Sequence, residues 1–115
     1  ALNKILAVLT FKGKEYQTAV DVLEKYLEHD PNIEDFWLYL SIAHKRTGNY
    51  DKALEAADKV FELNPDRVPN LIQLSDLHAK LGNSGRARIF AEKALELEPE
   101  NRQAQQMMES LSARS

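Results

Sequence analysis

The chain has 115 residues, 43% of them hydrophobic and 29% charged, which is a normal composition for one soluble domain. Its formal net charge of −3 argues against general binding to nucleic acid or to anionic membranes, because both need a clear excess of basic residues. The chain has no cysteine, which excludes disulfides and thiolate metal sites, and no apolar run approaches the ~20 residues that cross a bilayer. We therefore expect no nucleic-acid partner and no direct membrane insertion.

Apolar residues recur at intervals of three and four along the chain, which predicts a series of amphipathic α-helices. Glycine suits the left-handed position that ends a helix, and proline stops a helix that has already ended. Two pairs of residues that follow the glycines are predicted to supply the N-caps of the next helices, Asn49 and Asp51 in one repeat and Asn83 and Ser84 in the following one. The residues that separate the predicted helices are, in chain order, Gly13, Pro31, Gly48, Pro65, Gly82 and Pro99.

These breakers are periodic. Pro31, Pro65 and Pro99 are spaced 34 residues apart, and Gly48 and Gly82 keep the same spacing. A fixed period of this size indicates stacked copies of one supersecondary unit. The chain is therefore predicted to be a helical repeat array.

A last helix is predicted over about residues 101–113. Its narrow apolar stripe consists of Ala104, Met107, Met108 and Leu111, and its opposite face is rich in glutamine and charge. Such a helix is typical of the solvating cap of a repeat array. We assign both methionines to packing on the last hairpin rather than to an adaptable interface. The first helix begins at once with apolar residues, so we expect the array to be open or truncated at its N-terminal end.

The residues of the second repeat are similar to the pattern of the tetratricopeptide repeat, and the first and third repeats match it in phase. The resemblance implies an all-α fold, an α-solenoid of three helix-turn-helix hairpins in a right-handed superhelix with a C-terminal capping helix. It also implies a single domain over residues 1–115, with repeats at about 1–33, 34–67 and 68–100. The matching residues of the second repeat are Trp37, Leu40, Ser41, His44, Gly48, Tyr50, Ala53, Val60 and Pro65.

Small and polar residues inside the predicted hairpins have a packing role. Ser41 is expected to face Ala53, and one repeat later Ser75 is expected to face Ala87, so that the two helices of each hairpin approach closely. His44 and its counterpart His78 replace the tyrosine that is usual in the family. We expect both histidines to pack between helices with a satisfied ring nitrogen rather than to bind a metal.

The resemblance also implies a concave groove, lined by the first helix of each repeat, that binds peptides or helices of partner proteins. The second and third repeats would give it an apolar floor and a basic rim, and the first repeat would add Asn3, Ala7 and Thr10. An alternative role for the basic residues is to complement the dipoles of helix C-termini. The predicted groove residues are Asp35, Leu38, Ile42, Lys45, Arg46, Ile72, Asp76 and Lys80.

Some proteins that this chain resembles bind the C-terminal carboxylate of heat-shock chaperones through a clamp of Lys, Asn, Asn, Lys and Arg. This chain lacks the cationic residues of the clamp, so it cannot form paired, charge-assisted hydrogen bonds to a carboxylate. We therefore predict that it does not bind the C-terminus of these chaperones. The corresponding positions here are Asn3, Ala7, Tyr39, Pro69 and Gln73.

The predicted function is therefore a non-catalytic scaffold or adaptor that binds a peptide or helix of a partner protein without a cofactor. Its expected location is the cytoplasm, or the periplasm or another compartment if the chain is cut from a longer exported protein. No Ser-His-Asp set, HExxH motif or phosphate-binding loop accompanies the three histidines, so we predict no enzyme activity. Two alternatives stay open. The chain could form homo-oligomers through its uncapped N-terminal helix, or it could be a segment of a bacterial chaperone for secretion or envelope assembly.

Overall fold

The computed structural model describes residues 15–114, and in that range the chain forms six α-helices and no strand. The first predicted helix, which ends at Gly13, lies outside the described residues. No helix between residues 15 and 114 is long and apolar enough to cross a bilayer. The helices are α1 (Tyr16–His29), α2 (Glu34–Arg46), α3 (Tyr50–Leu63), α4 (Val68–Lys80), α5 (Ser84–Leu97) and α6 (Arg102–Arg114).

The helices form two layers. Each helix packs against the next in the chain, and α2 also contacts α4, while α4 also contacts α6. No comparable contacts join α1, α3 and α5 in the described residues. Helices of successive repeats are therefore closer to one another on the side of α2, α4 and α6, and we call these three helices the inner layer. The prediction of an all-α helical repeat solenoid is confirmed.

The turns inside the hairpins have the same geometry. Gly48 and Gly82 take φ values of 84° and 85°, a left-handed conformation in which a residue with a Cβ is strained. The next N–H, of Asn49 or Asn83, donates to the carbonyl of His44 or His78 at 2.8 and 2.7 Å. This is the hydrogen bond of a Schellman motif, so each first helix ends with one of its last carbonyls satisfied.

Asn49 and Asn83 stand directly before α3 and α5, as predicted, but neither side chain caps its helix. Asn49 Nδ2 donates to Thr47 Oγ1 at 3.3 Å, and Asn83 Nδ2 lies 3.4 Å from His78 Nδ1. The main chain of both residues is fixed by the Schellman turn, at ψ values of 69° and 68° rather than the extended values usual for an N-cap. The prediction of side-chain caps is therefore wrong at both positions.

The interior of the hairpins is built from small residues. Ala53 and Ala57 of α3 are fully buried beside Leu74 and Leu77 of α4. Ser41 of α2 is also fully buried, and its Oγ donates to the carbonyl of Ala53 at 2.8 Å, so the predicted contact of these two residues is confirmed. Close helix approach thus combines with a hydrogen bond that satisfies the buried hydroxyl.

Polar groups also connect successive repeats. Asn70 of α4 is 1% exposed, and its Nδ2 donates to the carbonyl of Ala57 in α3 at 2.9 Å. Arg67, which precedes α4, lies 2.5 Å from Glu34 and 2.6 Å from Asp35 in the first turn of α2. The start of α4 is therefore held to the start of α2 across a repeat boundary.

Candidate functional site

An open groove of about 630 Å³ runs along the inner layer. It takes side chains from all three helices of that layer, so no single repeat could form it. Its lining residues are Ile42, Lys45, Arg46, Pro69, Ile72, Gln73, Asp76, Gln103, Gln106, Met107 and Ser110.

The apolar floor of this groove consists of Ile42, Ile72 and Met107, one residue from each helix of the inner layer. All three side chains are half-buried, so each keeps a surface that a ligand can cover. Leu38 was predicted to belong to the floor, but it is only 5% exposed and is part of the core. Because α2 packs against α1, α3 and α4, its accessible stripe is narrower than predicted and includes Ile42 but not Leu38.

The contribution of α6 is the main feature that the sequence did not reveal. Its Met107 packs on Ala87 and Ala91, as expected of a cap, but the same residue also lines the groove. Gln103 and Ser110 of the same helix face the groove beside it. Their spacing was the signal in the sequence that could have revealed this role. Each residue occupies a position in the repeat at which α2 or α4 also has a groove-lining residue. The helix thus covers the last hairpin and extends the groove wall.

Three glutamines contribute to the polar part of the wall, Gln73, Gln103 and Gln106. Gln103 and Gln106 are exposed, so each offers a donor and an acceptor, the pair that a peptide main chain needs. Gln73 Oε1 is buried and has no hydrogen-bond partner among the described residues. The carboxamide oxygen of Gln73 is therefore closed to a ligand in this arrangement of the side chain.

Charged side chains lie at one end of the groove, where α2 and α4 end. Asp76 Oδ2 lies 3.1 Å from Lys45 Nζ, and Asp76 Oδ1 lies 3.7 Å from Lys80 Nζ. Arg46 is exposed and makes no ion pair with any residue of the described range. We call Lys45, Arg46, Asp76 and Lys80 the basic end of the groove.

The predicted groove residues therefore separate into three groups. Five of them line the groove, and Lys80 adjoins it through Asp76. Asp35 pairs with Arg67 at the opposite end of α2, outside the groove lining, and Leu38 is in the core. The role of all of them in binding stays a prediction. The five that line the groove are Ile42, Lys45, Arg46, Ile72 and Asp76.

His44 and His78 lie between helices, 5% and 4% exposed. Burial is the main cause that lowers the pKa of both imidazoles from the usual value of 6.5. His78 Nδ1 has the Asn83 amide beside it, but His44 Nδ1 has no hydrogen-bond partner in the described part of the chain, so the predicted satisfaction is not met at that nitrogen of His44. Among residues 15–114 no cluster of three potential ligands is placed to bind a metal ion.

The family model described as tetratricopeptide repeat matches this chain twice, over residues 11–66 and 45–111. The chain belongs to the tetratricopeptide repeat family. Several solved structures that share its fold are also named as tetratricopeptide repeat domains, at 18–22% sequence identity. A comparison with curated proteins finds no match.

Three solved structures show how widely the fold is shared. The first tetratricopeptide domain of Spaghetti (RPAP3), bound to the HSP90 peptide SRMEEVD, is 22% identical with a TM-score of 0.94, over 98% of this chain and 90% of that one. The OM64 domain of Arabidopsis is 18% identical with a TM-score of 0.94, over 99% and 94%. The Yersinia enterocolitica secretion chaperone SycD, in complex with a peptide of the translocator YopD, is 17% identical with a TM-score of 0.90, over 98% and 92%. At these identities the similarity concerns the fold alone.

Proposed function

We propose that this tetratricopeptide repeat chain is a protein-interaction module that binds a segment of a partner protein in the groove of its inner layer and catalyses no reaction itself. The observation that carries the proposal is the apolar floor, in which Ile42, Ile72 and Met107 of three different helices border one open groove. Two proteins of the same fold, RPAP3 and SycD, are known with peptides bound. Their peptides differ in origin, which fits a fold that supplies a groove and leaves its chemistry to the side chains.

The lining suits a ligand that combines aliphatic anchors with an exposed main chain. Each aliphatic side chain that becomes fully buried on the floor contributes about 2 kcal/mol, and the exposed amides of Gln103 and Gln106 can pair with the ligand backbone. Ordering of the ligand opposes binding. The expected affinity is therefore in the micromolar range, about −8 kcal/mol.

The side chains at the clamp positions argue for a partner other than a chaperone carboxyl terminus. Tyr39, Pro69 and Gln73 carry no charge, and Asn3 and Ala7 lie outside the described residues. The alternative of self-association also concerns the first helix, outside the described range, and stays a prediction. The secretion-chaperone alternative agrees with the fold of SycD but with no particular side chain of this groove.

The test uses peptides selected from a random displayed library on the immobilised full chain, with affinities then measured by calorimetry. Ile42→Glu places a charge on the apolar floor and should weaken the selected peptides at least about tenfold, since a buried aliphatic contact is lost and a charge is desolvated. The control is Ile89→Glu on α5, because Ile89 is 62% exposed and outside the groove. Circular dichroism should show that both variants keep their helices.

Peptides that bind Ile42→Glu as tightly as the wild-type chain would place the binding surface elsewhere. A library that yields no binder at all would argue against the function itself.

A further inference from the structure

The basic end of the groove carries more positive charge than the chain itself neutralises. This end holds three cations, Lys45, Arg46 and Lys80, but only one carboxylate, Asp76, and no other carboxylate lines the groove in the described residues. The carboxylate is shared, with one oxygen towards each lysine. Arg46 is left without an anionic partner in the described range.

Helix dipoles account for only part of this surplus. The C-termini of α2 and α4 both lie here, and each carries about half a negative elementary charge. Two such ends offset about one of the two uncompensated positive charges. Complementing the helix ends is therefore a real role of these cations, but it leaves about one positive charge facing the groove.

The donors at this end are also only partly used. A lysine ammonium has three N–H donors and an arginine guanidinium has five. Lys45 donates one hydrogen bond, to Asp76, at 3.1 Å. The lysines can therefore accept a second carboxylate while they keep the first, and Arg46 offers a planar fork suited to a bidentate carboxylate contact.

The distance between these donors and the apolar floor restricts where a ligand can carry its acidic residue relative to its apolar anchor. Ile42 precedes Lys45 and Arg46 by three and four residues on α2, and Ile72 precedes Asp76 by four on α4. One helical turn rises about 5.4 Å. A ligand that covers Ile42 and Ile72 with an apolar side chain therefore brings its neighbouring residues within reach of the basic end.

We propose that the partner of this groove is an acidic segment, in which an aliphatic or aromatic anchor is followed within one turn or two strand residues by Asp or Glu. The anchor lies on the apolar floor, and the carboxylate binds Arg46 together with Lys45 and Lys80. Asp76 sets the strength of this recognition, since it repels the incoming carboxylate and occupies part of the lysine donors. The inference rests on the proposed function and specifies the chemistry of the partner.

The experiment sequences the peptides selected from the random displayed library and measures the tightest of them by calorimetry. Binders that depend on Ile42 should be enriched in Asp and Glu beside an apolar residue, and their affinity should fall as salt is raised. Arg46→Glu should weaken them about tenfold or more, as expected for loss of a charge-assisted hydrogen bond. Lys25→Glu, an equal charge reversal at an exposed site on α1, should leave binding unchanged.

Two further measurements separate recognition from stability. A peptide in which the acidic residue is replaced by lysine should bind Arg46→Glu better than it binds the wild-type chain, which a merely destabilised variant could not produce. Asp76→Asn should bind the acidic peptide about threefold to tenfold more tightly, because it removes the like charge beside the ligand.

The possible failures are distinguishable. Binders that depend on Ile42 but show no acidic enrichment, or bind Arg46→Glu and Lys25→Glu equally, would overturn the acidic preference and leave the groove function standing. An unchanged or weaker affinity of Asp76→Asn would also overturn it. Binders that ignore Ile42 would overturn the proposed function and this inference with it.

Discussion

Ser75 Oγ donates a hydrogen bond to the main-chain oxygen of Ala87 at 2.7 Å, in the fully buried contact between α4 and α5. Ser41 and Ala53 make the same contact one repeat earlier, at 2.8 Å. A serine here is small enough for the two helices to approach, and its hydroxyl is satisfied by the partner helix. The same residue therefore serves packing and polar satisfaction.

Ser75→Ala should lower the free energy of unfolding by about 1 kcal/mol, the usual net contribution of one hydrogen bond. Ser75→Val should cost more, about 2–3 kcal/mol, since it also removes the hydrogen bond and adds a methyl group to a fully buried contact. Urea unfolding monitored by circular dichroism measures both. Ser110→Ala, at an exposed position of α6, is the control and should change stability by less than about 0.5 kcal/mol. Equal effects of the two alanine variants would contradict the assigned role of Ser75.

The two buried histidines predict a dependence of stability on pH. For His44 burial outweighs the attraction of Glu24 and Glu55 and lowers the pKa. For His78 burial lowers the pKa, Arg86 acts in the same direction, and Asp58 opposes them. As the pH falls through about 6.5, the two histidines of the unfolded chain become protonated, whereas those of the folded chain become protonated only at lower pH. The free energy of unfolding should therefore fall as the pH drops through about 6.5.

The double variant His44→Gln, His78→Gln keeps polar side chains of similar length but removes both titrations, so its stability should depend less on pH in this window. His29→Gln changes an exposed histidine at the end of α1 and should keep the wild-type slope. The measurement is urea unfolding at several pH values between about 5.5 and 8. The pKa of Asp58 is raised, mainly by burial, from its usual value of 3.8, and its titration acts in the opposite sense at lower pH. A slope equal in all three proteins would exclude the buried histidines as its source.

The ion pairs of Arg67 should contribute measurably to the free energy of unfolding, because they join two repeats. The side chain of Arg67 is 23% exposed and meets two carboxylates, Glu34 and Asp35, whereas the pair of Lys59 and Glu62 is largely exposed. Arg67→Ala should cost about 1 kcal/mol at low salt and less at high salt. Lys59→Ala should cost no more than about 0.3–0.5 kcal/mol. Thermal unfolding at two salt concentrations checks the difference, and an equal effect of the two variants would argue against the role of Arg67.

Trp37 combines packing with a hydrogen bond at the start of α2. Its ring packs against the first core cluster, which includes Leu27 and Leu40, and Nε1 donates to the carbonyl of Pro31 at 2.7 Å. Trp37→Phe should cost about 1 kcal/mol, mainly the hydrogen bond. Trp37→Ala should cost about 3 kcal/mol, at the lower end for a large aromatic residue because the side chain is only half-buried. Chemical unfolding measures both, and similar losses in the two variants would show that packing contributes little.

Periodicity was sufficient to predict the helices, because each breaker recurs with the repeat. Gly48 and Gly82 end their helices in a left-handed conformation for a local steric reason that depends on no neighbour. The contact of Ser41 with Ala53 was equally predictable, since hairpin helices of fixed length bring fixed positions together. Local rules and a constant period thus define most of this fold.

The side-chain details were harder to predict because they depend on how helices rotate against one another. Leu38 and Ile42 lie one turn apart on α2, yet Leu38 is in the core while Ile42 borders the groove. The role of Met107 depends on how α6 meets α4, which the apolar stripe of α6 taken by itself does not report. The side chain of Asn49 does not cap α3 because the main chain of this residue is fixed by the turn that precedes the helix.

The dual position of α6 links recognition to the integrity of the array. Among the described residues α6 packs mainly on α4 and α5, so its contacts come from a single hairpin and its local opening is expected to cost less than that of a central helix. Because Gln103, Met107 and Ser110 lie on this helix, its detachment would remove one side of the groove. A bound partner must then suppress that local opening, so the amide protons of α6, far from the anchor on Ile42, should become slower to exchange with solvent when the groove is filled.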